Sequence, residues 1–260
     1  MTEPIITIRI LHGTDGGVRD ALYHDLLQRL EADTLLRPHP RPAVRTTLTR
    51  IDPNVPVRKR NVWFGVRRAW IDELKNPIAT HLCFLQDDVL PSWGFLDALY
   101  EVVHAYPDRI VGLLAAKRFQ REVFERGQRY YASEAGTYGS AWIAPLEWVS
   151  ACLAWNEACV ERNFPHDDSR MCLFDMAEDR LQIMTAPSLV EHVGTTASTL
   201  GHGGTPAAVW LEDVRHLNFR EKPDVLAVDR GWWGKEKHGM AVLNPCRTGA
   251  LRDLQAPNLD

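Results

Sequence analysis

Apolar positions along the first two hundred residues switch between two spacings, and the switching outlines a fold. Ile5 to Leu11 is a β-branched run ending in His12-Gly13-Thr14-Asp15-Gly16-Gly17, the composition of a strand entering a turn. Val18, Leu22, Leu26 and Leu30 then recur every fourth residue with polar positions between them, which predicts an amphipathic helix. Pro38, Pro40 and Pro42 break that pattern into a loop. Thr46 to Ile51 reads as a second strand stopped by Asp52-Pro53-Asn54, and Val62, Val66, Trp70 and Leu74 mark one face of a second helix. Leu82-Cys83-Phe84-Leu85 is continuously apolar, as expected of a strand covered on both faces, and it runs straight into Gln86-Asp87-Asp88.

Farther on, Ser92 is the expected N-cap of a helix carrying Phe95, Leu96, Leu99 and Val103. Ile110 to Ala115 reads as a buried strand, followed by a polar, glycine-bearing stretch from Arg118 to Ser140. Pro145 suits the first turn of a helix bearing Val149, Cys152, Leu153 and Val160. Asp167-Asp168-Ser169 opens a further helix, and Gln182 to Thr185 reads as the last strand. The periodicity fades after about residue 200 into Gly, Pro, Trp and charge. Strand–helix alternation of this kind predicts an α/β fold, Rossmann-like, with a mostly parallel central sheet flanked by helices. The expected organisation is one domain over 1–204 and an irregular extension over 205–260, packed on it as a tail or lid.

Composition changes this picture little. The chain of 260 residues carries a net charge of −4, which gives no global attraction to nucleic acid or anionic membrane. No stretch approaches the roughly 20 apolar residues of a membrane span, and the N-terminus lacks a signal-peptide pattern, so a cytoplasmic protein is expected. Five cysteines without a C-x-x-C pair predict buried free thiols rather than a zinc site. No dinucleotide or P-loop glycine fingerprint follows the first strand.

Three segments carry chemistry. Gln86-Asp87-Asp88 ends a buried strand, where an open α/β sheet faces its ligand crevice. Two adjacent carboxylates there raise one another's pKa unless a cation lies between them, and a divalent ion that also takes substrate phosphates fits that requirement. A solvated turn is the alternative. His192, in Pro-Ser-Leu-Val-Glu-His, is either a metal ligand or a structural histidine. Asp167 and Asp168 either supply a general base or cap their helix.

In this order the three segments resemble the nucleotide-sugar glycosyltransferases of the GT-A fold. The resemblance implies that Asp88 ligates Mn²⁺ or Mg²⁺ with His192 as a further ligand, and that Asp87 and Gln86 face the donor. It also implies that Asp168, or its neighbour Asp167, is the base of an inverting reaction. The implied donor is a nucleotide sugar, a UDP-sugar being expected, and the acceptor a hydroxyl of a protein, glycan or modified DNA base. His12, Thr14, Asp15 and Asp52 would border the nucleotide, and Arg60 with Asn61 would hold the diphosphate. Trp142 is either a sugar platform or core. Trp232 and Trp233, paired between glycines, would belong to a closing lid. A two-metal phosphodiesterase and a non-catalytic sugar-nucleotide-binding module are the rival readings.

Overall fold

The computed structural model describes residues 3–13, 17–36, 45–51, 62–75, 77–116, 118–134, 136, 139–162, 164, 166–193 and 206–230. Within them β1 (Ile6–Gly13) leads through α1 (Val18–Leu35) to β2 (Arg45–Ile51), then through α2 (Val62–Lys75) to β3 (His81–Gln86). There follow β4 (Val89–Pro91), α3 (Phe95–Ala105), β5 (Val111–Gly112), α4 (Arg118–Glu125) and β6 (Tyr130–Ser133). The remainder comprises β7 (Ala141–Pro145), α5 (Leu146–Cys159), α6 (Asp167–Ala177), β8 (Gln182–Thr185), β9 (Val190–His192) and β10 (Ala227–Asp229).

Eight strands form one sheet in the order β10-β6-β8-β5-β7-β3-β1-β2, and β4 pairs with β9 in a small second sheet. The large sheet is mostly parallel but mixed. β7 runs antiparallel to both of its neighbours, β3 and β5, and β6 runs antiparallel to β8. Because β2 and β3 lie on opposite sides of β1, the direction of winding reverses there. A crevice opens outside the carboxyl ends of strands at such a switch point. The reversed strand β7 adds its amino end to the same edge, since Ala141 pairs with Leu85.

Period-two alternation sorts side chains to the two faces of the sheet. Ile6, Ile8 and Ile10 of β1, Cys83 and Leu85 of β3 and Ile143 of β7 pack on one side with α1 and α3. Leu11, Leu82, Phe84, Trp142 and Ala144 pack on the other with α2, α5 and α6. The second layer is rich in indole: Trp70 meets Trp63 and Trp142 edge-on, and Trp142 stacks on Phe84 with ring centroids 5.3 Å apart.

Several local expectations give way to tertiary structure. Ser92 does not cap α3, because its hydroxyl donates to the Leu211 carbonyl at 2.6 Å. The cap comes from Asp33 of α1, whose carboxylate accepts the Gly94 and Leu96 amides at 2.6 and 2.9 Å. Gly94 adopts φ +84°, with Arg215 Cγ only 2.5 Å from where a Cβ would stand, so this entry to the helix requires glycine. The polar stretch over 118–140, in which the sequence pattern marks no element, contains α4 and β6. Tyr130 and Tyr131 of β6 are both buried, so no alternation betrays that strand. The ladder over Ile110–Ala115 is confined to Val111–Gly112, although all six residues are buried.

The segment over 206–230 packs on the same domain: Phe219 is fully buried, its amide donates to Glu101 Oε2 at 2.8 Å, and β10 extends the sheet beside β6. Cys83 and Cys152 are buried free thiols, whereas Cys159 is disulfide-bonded, against expectation. Among the described residues, no helix is long and apolar enough to cross a membrane.

Candidate functional site at the β1–β3 switch point

β3 delivers Gln86, Asp87 and Asp88 to the crevice because its apolar residues are anchored on both faces of the sheet. The Asp87 amide donates to the Leu11 carbonyl and the Gln86 amide to the Ser140 carbonyl, so the turn is fastened to β1 and to the start of β7. The Asp87 side chain, 0% exposed, is fully engaged. Its Oδ2 accepts from His12 Nδ1 and from the Gly13 amide, each at 2.8 Å, and its Oδ1 accepts from Arg19 Nη1. Burial raises the Asp87 pKa, and Arg19, His12 and the Gly13 amide offset only part of that rise. His12 also meets Asp20 through Nε2 at 2.9 Å and stacks on Tyr23. This histidine therefore holds Asp87 from inside the fold.

Asp88 is the more available carboxylate. β9 pairs antiparallel with β4, placing His192 opposite Val89, and the Val193 amide closes on the Asp88 carbonyl. His192 Nε2 thereby lies 3.3 Å from Asp88 Oδ2, and Arg19 Nη2 donates to the same oxygen at 3.2 Å. Asp88 Oδ1 is buried and has no hydrogen-bond partner. Burial raises the Asp88 pKa, but His192 and Arg19 outweigh it and leave the group below the ordinary aspartate value.

Arg19 was not foreseen in the sequence. From the first turn of α1 it forks across both carboxylates, meeting the charge-compensation requirement that had pointed to a metal ion. Among the described residues no group of three or more His, Cys, Asp or Glu side chains is arranged to hold a metal. Asp88 and His192 nevertheless fit as a two-ligand half-site: they adjoin, and one Asp88 oxygen lacks a partner. Mg²⁺ characteristically takes one or two protein carboxylates and completes its shell with substrate phosphates and water.

Asp167 reaches the same edge through a missing side chain. A Cβ on Gly139 would stand 2.5 Å from Asp167 Oδ2, so only glycine lets the carboxyl lie against this backbone. Gly139 precedes Ser140, whose carbonyl holds the Gln86 amide. Burial, reinforced by the charge of Asp168, pushes the Asp167 pKa up to about 7, and Oδ2 has no hydrogen-bond partner. Asp168 is partly exposed and turned to its own helix, accepting the Ser169 amide at 2.7 Å. Arg170, 1% exposed, fastens the approach to α6. It donates to the carbonyls of Glu161 and Phe164 and lies 4.6 Å over the Trp63 ring.

His12, Gln86, Asp87, Asp88 and His192 thus come together, with Asp167 connected to them through Gly139–Ser140. Trp142 does not join them. It is 0% exposed and enclosed by Trp70, Phe84 and Trp148, so its core alternative holds and no ring face is open to a sugar. Thr14, Asp15, Asp52, Arg60, Asn61, Trp232 and Trp233 lie outside the described residues. A separate cavity of about 390 Å³, lined by Ser133, Cys172, Asp175, Arg180 and Gln182, opens at the amino end of β8, the opposite end of that strand from the crevice edge. No protein-family model matches the chain, and no curated protein matches it either.

Proposed function

We propose that the chain is a glycosyltransferase of the GT-A type. It would move a sugar from a nucleotide diphosphate, with a UDP-sugar the expected donor, to a hydroxyl of a protein, glycan or modified DNA base. One observation carries the reading: two carboxyl groups at one crevice edge have opposite protonation tendencies. Asp88 lies below the ordinary range beside His192, and Asp167 is raised to about 7. Environments that push two such groups apart divide the work between charge binding and proton transfer.

In the proposed reaction the acceptor oxygen bonds to the anomeric carbon as the bond from that carbon to the diphosphate oxygen breaks, its electron pair leaving with the diphosphate. Asp167 takes the acceptor proton at Oδ2, the oxygen without a partner. Its affinity for a proton near neutrality suits a general base that must also release it. Asp88 and His192 would hold Mn²⁺ or Mg²⁺, which when bound supplies positive charge against the leaving diphosphate. Asp87 works structurally, binding the Gly13 amide and His12 at the end of β1. That engagement disfavours a two-metal phosphodiesterase, because only Asp88 of the strand-end pair remains available as a ligand.

The test is incubation with UDP-sugars and Mn²⁺, followed by detection of free UDP. Asp167→Asn should retain donor affinity and lose turnover by roughly 10²–10⁴-fold, while Asp168→Asn stays close to the parent. Liberation of UMP rather than UDP would redirect the assignment to phosphodiester cleavage.

A further inference from the structure

The strand-end carboxylates already hold a cation, and it is a side chain. We propose that Arg19 is an exchangeable counter-ion: it occupies Asp88 in the ligand-free protein and passes to the donor diphosphate when a divalent cation takes Asp88. This rests on the donor reading above and assigns the diphosphate anchor to α1.

Three observations converge on the exchange. Arg19 makes its contact with Asp87 through Nη1 and its longer, 3.2 Å contact with Asp88 through Nη2, so release from Asp88 leaves the other arm attached. Asp88 keeps a buried oxygen without a partner, which means that Arg19 and His192 together do not satisfy it. Finally, Arg19 stands in the first turn of α1, an 18-residue helix whose N-cap, Gly17, provides no side-chain cap. Gly17 and Val18 at this end are exposed, Val18 by 52%. First-turn amides with an adjacent guanidinium make a setting for phosphate oxygens. A divalent ion arriving at Asp88 repels the guanidinium, and a diphosphate oxygen can take the arm that Asp88 gives up while Asp87 keeps the other.

The exchange predicts effects of opposite sign from one substitution. Mn²⁺ binding is measured by the paramagnetic resonance signal of free ion, and pyrophosphate binding by calorimetry in saturating Mn²⁺, with thermal melting alongside. In Arg19→Gln the competitor is gone, so Mn²⁺ alone should bind at least about tenfold tighter and pyrophosphate about tenfold weaker. Arg19→Lys, which keeps the charge but not the fork, should change both in the same directions and by less. A destabilised fold weakens both ligands together and cannot imitate this pattern. Mn²⁺ affinity that is unchanged or weaker in both variants overturns the exchange, as does unchanged pyrophosphate affinity. If the parent binds both ligands while the variants fail to diverge, only the role of Arg19 falls. If the parent binds neither ligand and releases no UDP from UDP-sugars, the transferase reading falls with it.

Discussion

The Asp167 carboxyl has lost its water without gaining a partner at Oδ2, and this leaves a signature in stability as well as in catalysis. An unfolded chain releases this proton near 3.8, whereas the folded protein retains it to about 7. The native state therefore binds more protons across that window, so this group's contribution makes stability fall as pH rises from about 3.8 to about 7 and level off beyond it. Asp175, raised to about 6 chiefly by burial, acts in the same direction over a narrower range. Asp167→Asn removes the larger share. Urea unfolding should find the variant more stable than the parent at about pH 8 by more than about 1 kcal/mol, with the gain shrinking toward about pH 4. A parent that is the more stable protein at the alkaline end would show that the buried carboxyl is compensated there.

Helices and strands show where local sequence stops informing. Apolar spacing located β1, β2, β3, α2 and α5 to within a few residues, because each carries enough core contact to impose its period. β6 and α4 escaped. β6 is buried on both faces with two tyrosines, and α4 buries only Gln120 and Val123. Ser92 has the chemistry of a cap and lies just before a helix, yet Asp33 caps that helix from α1, a choice made by tertiary packing. Asp33→Ala should therefore cost about 1–2 kcal/mol, as loss of an N-cap does, although nothing near α3 in sequence would reveal it. Denaturant midpoints of parent and variant would measure this, and an unchanged midpoint would mean that water replaces the carboxylate. The same limit applies at the crevice. Asp87, Asp88 and His192 were legible from the strands that present them. Arg19 was not, since its role exists only once α1 lies over the end of β3. The difference between Asp167 and Asp168 depends on the missing Cβ of Gly139, which no helical spacing encodes.

At the scale of the molecule, the segment over 206–230 shares its core with the preceding elements. Val214 and Phe219 are buried in the layer with α1 and α3, and the Tyr130 hydroxyl donates to the Phe219 carbonyl. Ending the chain after Thr205 should open that layer and abolish a single sharp unfolding transition. Calorimetry of the shortened protein checks this, and an unaltered melting profile would return the segment to the status of an accessory. The opposite layer has a consequence of another kind. Trp63, Trp70, Trp142 and Trp148 form a connected, buried cluster in which Trp70 meets the other three, and Trp142 lies on the strand that begins beside Ser140 and Gln86. Indoles packed this closely couple electronically, so the protein should carry an intense near-ultraviolet circular dichroism band and blue-shifted emission. It thereby has a built-in optical reporter two residues from the crevice edge, able to register occupancy there without any attached dye.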